Sequence, residues 1–111
     1  MRDSFFVSDT PVPREVKMQD GTTEILYFKE LPMVDFAIYN EARLSEDEET
    51  RHASHAKLIA MSVYEADPNN PGGYAQSMSP QKARMLKPKM ANAIMTEILS
   101  VNGYGAEEKK G

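Results

Sequence analysis

The sequence predicts an α+β fold, mostly helical, in which an N-terminal β-hairpin packs on a small bundle of about four helices. Three observations carry this. Arg14 to Gln19 alternates apolar and polar residues and runs into Asp20-Gly21, after which Thr22 to Leu31 is rich in β-branched and aromatic side chains. From Val34 onward apolar residues recur at three-to-four spacing. Helix punctuation then falls at Pro32, Ser45, Ser79-Pro80 and Pro88.

The length of 111 residues suits one domain with a feasible core. Cysteine is absent, which removes disulfides, thiolate metal sites and cysteine nucleophiles, and fits a reducing cytosol. Met1 to Pro13 has no basic region followed by a long apolar run, so no secretory signal is expected. No stretch approaches the roughly 18 apolar residues of a membrane span. The formal charge is −4 with scattered basic residues, which argues against nucleic acid as a partner, since that requires a clustered cationic surface.

Residues 1–13 read as an N-terminal arm, because Pro11 and Pro13 oppose ladder pairing. Phe5, Phe6 and Val7 in this arm are apolar enough to dock, first of all on the domain's own core. The hairpin-plus-helices domain then spans 14–103. A two-residue type I′ turn at Asp20-Gly21 pairs Gln19 with Thr22, Met18 with Thr23, Lys17 with Glu24 and Val16 with Ile25. That register puts Met18, Val16, Ile25 and Tyr27 on one face, with Leu26 and Phe28 on the other.

A short helix follows from Pro32 to about Leu44, with Phe36 and Tyr39 assigned to the core. Ser45-Glu46-Asp47-Glu48 matches a capping box, opening a helix that carries Ala56, Ile59, Ala60 and Val63 and stops before Asp67-Pro68. Asp67 to Gly73 is rich in breakers and reads as a surface loop. Ser79-Pro80 supplies an N-cap and an N1 proline for a short helix to Leu86. Pro88 begins a longer helix to Val101, closed by Gly103 as the C′ residue with Tyr104 folding back. Residues 104–111 form a polar tail.

Signals for catalysis fail separately. His52 and His55 lie one helical turn apart, but no third ligand or positioned base accompanies them, and solvent-facing polar residues explain them better. Glu46 to Glu49 point around a helix instead of converging on a cation. The serines lack a nucleophile elbow, and Gly72-Gly73 lacks the lysine of a phosphate loop. No catalytic residue, metal or cofactor is therefore assigned. What remains is a surplus of apolar side chains. The chain has eight methionines and no tryptophan, and Met78, Met85, Met90 and Met95 crowd its C-terminal part. Thioethers suit adaptable binding surfaces. On the last helix Met90, Ile94 and Ile98 make one stripe, leaving Met95 and Leu99 partly outside it, as either a second contact surface or a fully wrapped core requires. The expected partner-binding surface is Met90, Ile94, Met95 and Leu99, with Phe5 and Phe6 as a second anchor.

Segments spread over most of the chain resemble bacteriophage tail assembly chaperones. They are Val12 to Gly21, the strand ending Lys29-Glu30-Leu31-Pro32, the stretch Leu58-Ile59-Ala60-Met61-Ser62-Val63, and Ala93 to Gly103. The resemblance lies in order, length and composition. It implies a viral protein of the host bacterial cytoplasm, absent from the mature virion. Such a protein binds the long helical tape measure protein, self-associates as a homo-oligomer and brings tail tube subunits to the growing tail. It also implies a longer frameshifted product in many relatives. A minor tail or connector protein of a phage is the alternative reading.

Overall fold

The structure, a computed structural model, describes residues 2–18 and 20–104. The architecture is α+β. A four-stranded antiparallel sheet in the order β1-β2-β3-β4 packs with four helices. The strands are β1 (Val12–Lys17), β2 (Thr23–Phe28), β3 (Val63–Ala66) and β4 (Tyr74–Gln76). The helices are α1 (Met33–Arg43), α2 (Glu48–Ser62), α3 (Pro80–Ala83) and α4 (Pro88–Val101). A short 3-10 turn, Asp3–Phe5, precedes the sheet. Expectations for Gln19 and for residues 105–111 fall outside the described residues.

The N-terminal hairpin forms where expected but in a different register. Lys17 pairs with Thr23, Val16 with Glu24 and Glu15 with Ile25, one residue away from the two-residue turn. The loop closes through Met18 N–H donating to the Thr22 carbonyl at 2.7 Å, and Gly21 N–H donating to the Met18 carbonyl at 3.1 Å. Gly21 takes a φ of 91°, whereas no non-glycine among the described residues has a positive φ, so Asp20 is not the left-handed residue that type I′ requires. The Asp20 carboxylate instead accepts from the Thr22 amide at 3.0 Å and the Thr22 hydroxyl at 2.6 Å. This local clasp holds Asp20 in the ordinary region. A one-residue slip moves a strand's side chains to the opposite face. Val16 therefore joins Phe28 in the core, while Ile25 is 57% exposed.

Pro13 lies within β1, paired with Tyr27, so ladder pairing starts at Val12, within the stretch expected to be an unpaired arm. β1 is an edge strand, the position that tolerates a residue without an N–H. On the outward face, the Tyr27 and Tyr74 rings lie 5.1 Å apart and the Lys29 ammonium sits 5.1 Å from the Tyr64 ring.

α2 ends sooner than its apolar spacing suggests. The helix stops at Ser62 and the chain enters β3 at Val63 with no intervening loop. Val63 pairs with Phe28 and Tyr64 with Tyr27, and the Ser62 carbonyl accepts from the Lys29 amide at 2.9 Å. Ser62, Val63 and Phe28 are fully buried. The Ser62 hydroxyl donates to the Leu58 carbonyl at 2.9 Å, so no polar group of the junction is stranded. The surface loop after Ala66 thus joins two strands, with β4 returning alongside β3.

The start of α2 also differs from the expected capping box. Asp47 is the N-cap, the Ser45 hydroxyl accepts from the Asp47 amide at 3.0 Å, and the Asp47 carboxylate accepts from the Thr50 hydroxyl at 2.6 Å. Ser79 caps α3 as expected, accepting from the Lys82 amide at 3.1 Å, although that helix ends at Ala83. α4 closes in a Schellman motif. Gly103 has φ 84°, and the Tyr104 amide donates to the Leu99 carbonyl at 2.7 Å.

The core lies between the inner face of the sheet and α2 and α4. Phe28, Val63, Ile59, Ile94 and Ile98 are its main buried members, with Phe36 contributed by α1. Replacing Phe28 with alanine is expected to cost about 3–5 kcal/mol. A fall of the urea midpoint is the measure, and a loss below about 1 kcal/mol would contradict this placement of the core.

Candidate protein-binding surface

The expected surface on α4 divides in two. Ile94 is buried beside Ile98, so it supports the helix from inside and is not available to a partner. Met90, Met95 and Leu99 are half-buried and pack on the rim of the core. Met90 lies in an open groove with Met18, Ala93 and the hairpin turn, bordered by Lys17 and Lys89. Met95 and Leu99 instead face α1, where they line a second groove with Phe36, Tyr39, Asn40, Arg43 and Tyr104. The structure does not bring Met90 together with Met95 and Leu99.

The grooves follow from local geometry. α4 carries apolar residues beyond the Ile94–Ile98 stripe, and the Schellman turn sends Tyr104 back across its last turn. There the Tyr104 ring lies 5.1 Å from the Phe36 ring. Asn102 fixes the same corner: its Oδ1 accepts from the Leu31 amide at 2.8 Å and its Nδ2 donates to the Ile98 carbonyl at 2.7 Å. At the mouth of the groove the Arg43 Nε donates to Asn40 Oδ1 at 3.1 Å.

Phe5 and Phe6 do not dock on the core. They are 69% and 63% exposed, on a shallow groove shared with Leu31, Val101 and Gly103. The Ser8 amide donating to the Glu30 carboxylate at 2.6 Å ties the arm to the sheet end while leaving both rings in solvent.

A further exposed apolar surface lies elsewhere, on α1. Met33 is 84% exposed, and Val34 and Ile38 are also exposed with Ala37 between them. Leu44, just past the helix, is 76% exposed on the same side. At 100° per residue these positions fall on one arc, which Glu41 shares, turned away from Phe36 and Tyr39. α1 is thus apolar on two sides, and only one is covered. The signal was present in Met33-Val34-Asp35-Phe36-Ala37-Ile38-Tyr39, which holds more apolar residues than a single stripe needs.

No family model, curated protein or solved structure gives a significant match to this chain.

The histidines face a different environment. The His55 ring packs edge-on against Tyr39 with centroids 6.1 Å apart, and its Nε2 is buried without a hydrogen-bond partner. Among the described residues no group of three or more histidine, aspartate or glutamate side chains could hold a metal ion. Nearby, Arg84 forms a bidentate pair with Glu49 at 2.7 and 2.8 Å, which joins α3 to the start of α2 and holds the Glu49 carboxyl below its ordinary value.

Burial, and secondarily the charge of His52, pushes the His55 imidazole below the ordinary histidine value of 6.5. The unfolded chain then takes up a proton at that value while the folded chain resists it, so protonation favours unfolding. Stability is expected to be full above pH 6.5 and to fall as the pH drops from there through the depressed folded value. Urea midpoints across this window would show it. His55→Gln should flatten the slope while His52→Gln largely keeps it, and equal slopes in both variants would refute the assignment.

Proposed function

We propose that this chain is an assembly chaperone of long phage tails. It binds the helical tape measure protein and brings tail tube subunits to it during morphogenesis in the host cytoplasm. The resemblance described above supplies the class of activity. The observation that best supports it is the uncovered apolar arc of α1, with the α1–α4 groove on the other side of the same helix. A tape measure protein presents long amphipathic helices whose apolar stripes need cover until the tube surrounds them. An uncovered apolar helix face can shield such a stripe, and the separate groove lined by Phe36, Met95 and Leu99 suits helix-in-groove recognition. Such cover must be released later, and methionine-rich surfaces that adapt without locking serve that need. Self-association of the chaperone belongs to the same proposal.

Co-expression with the tape measure protein, followed by affinity capture, tests this. Met33→Glu combined with Ile38→Glu is expected to keep stability within about 0.5 kcal/mol per site, because both side chains already face solvent. Capture should fall roughly tenfold or more, as expected for loss of a central apolar anchor. A folded double variant that captures the tape measure protein as well as the parent chain would rule out this surface. Mass spectrometry of purified virions adds a second readout, in which a chaperone is absent and a minor tail or connector protein is present.

A further inference from the structure

Asparagines occupy positions 40, 69, 70, 92 and 102, and only Asn102 is followed by glycine. Glycine presents the least hindered backbone nitrogen, so in an open chain an Asn-Gly pair is the favoured site for attack of the backbone on its own side chain. We propose that Asn102 is a deamidation site held in check by the fold, and that its conversion unlatches the C-terminal end of α4.

The reaction needs only water and hydroxide. Hydroxide removes the Gly103 amide proton, and the nitrogen adds to Asn102 Cγ. The Cγ–Nδ2 bond breaks and ammonia leaves, giving a five-membered succinimide. Water then opens the ring at either carbonyl, yielding aspartate or isoaspartate at position 102.

The attacking nitrogen and the side-chain amide are both engaged in the folded chain. The Gly103 amide donates to the Ser100 carbonyl at 3.1 Å, as part of the Schellman turn. The Asn102 backbone keeps φ at −95° and ψ at 12°, which holds that nitrogen away from Cγ. The side-chain amide is held at both ends, with Oδ1 on the Leu31 amide and Nδ2 on the Ile98 carbonyl. Reaction therefore requires the last turn of α4 to open, and its rate follows the population of that open state.

The product cannot restore the latch. A carboxylate in place of Nδ2 faces the Ile98 carbonyl, acceptor against acceptor, and puts negative charge at the negative end of the α4 dipole. Isoaspartate also lengthens the backbone by one carbon and breaks the spacing of the Schellman hydrogen bonds. Either product loses the hydrogen bond to the Ile98 carbonyl and loosens the turn that holds the Tyr104 ring beside the α1–α4 groove. This inference does not depend on the proposed function.

Peptide mapping of the full chain, aged in mildly alkaline buffer with and without concentrated urea, tests it. Asn102 is expected to convert before the other asparagines in urea, and roughly tenfold or more slowly in the native chain. Equal rates in the two conditions, or another asparagine converting first in urea, would overturn the proposal. Asn102→Asp, as the product mimic, is expected to lower the melting temperature and speed hydrogen exchange at the Tyr104 amide. A mimic as stable and as protected as the parent would overturn the unlatching half. If the mimic fails to fold, that failure agrees with the latch, and the urea comparison decides the chemistry alone.

Discussion

The direct passage from helix to strand at Ser62-Val63 governs how the rest of the chain is arranged. With no loop to absorb a change of direction, α2 must end where β3 can pair, and the site for that pairing is already set by Phe28 at the end of β2. The three buried residues of this junction connect sheet and helices at one point. A bulky or charged side chain there would have no adjoining loop in which to relax. The serine suits the position because its hydroxyl returns to the helix it terminates. α2 carries the burden of this constraint, packing on α1, α3 and α4 while its end is held in the sheet.

That central role of α2 leaves α1 in an unusual position. α1 needs only its Phe36 side to join the core, yet its opposite side is also apolar. A chain selected only to fold would place polar residues there, as it does at Lys57 and Lys89 on other helices.

Much of this fold was legible where the deciding chemistry is local. Ser79-Pro80 and Gly103-Tyr104 carry their capping geometry in consecutive residues, and both ends form as their sequence implies. The hairpin was legible as a hairpin but not in its register. Asp20-Gly21 serves a two-residue and a three-residue loop equally well, and the choice fell to a side-chain clasp with Thr22. The end of α2 was illegible for another reason. Ile59, Ala60 and Val63 continue a helical spacing, and only Phe28, 35 positions before Val63, makes Val63 better placed in a strand. The same dependence on distant partners hid β4. At the surface, Met95 and Leu99 were readable as surplus on α4, whereas Ile94 was assigned to the wrong side of the core boundary. The arc on α1 could have been found by applying to the first helix the count that was applied to the last.

The sheet is made of two local hairpins that meet along a very short seam. β1 and β2 pair over six residues each, but β2 and β3 share only Tyr27 with Tyr64 and Phe28 with Val63. A seam with so few backbone hydrogen bonds draws its strength from side chains packed beneath it. Mechanically it is a fault line: a pull on the sheet would part the two hairpins there before either came undone. Each half would come away whole, with its own turn and its own tyrosines, and the dry interior would first meet water at Phe28.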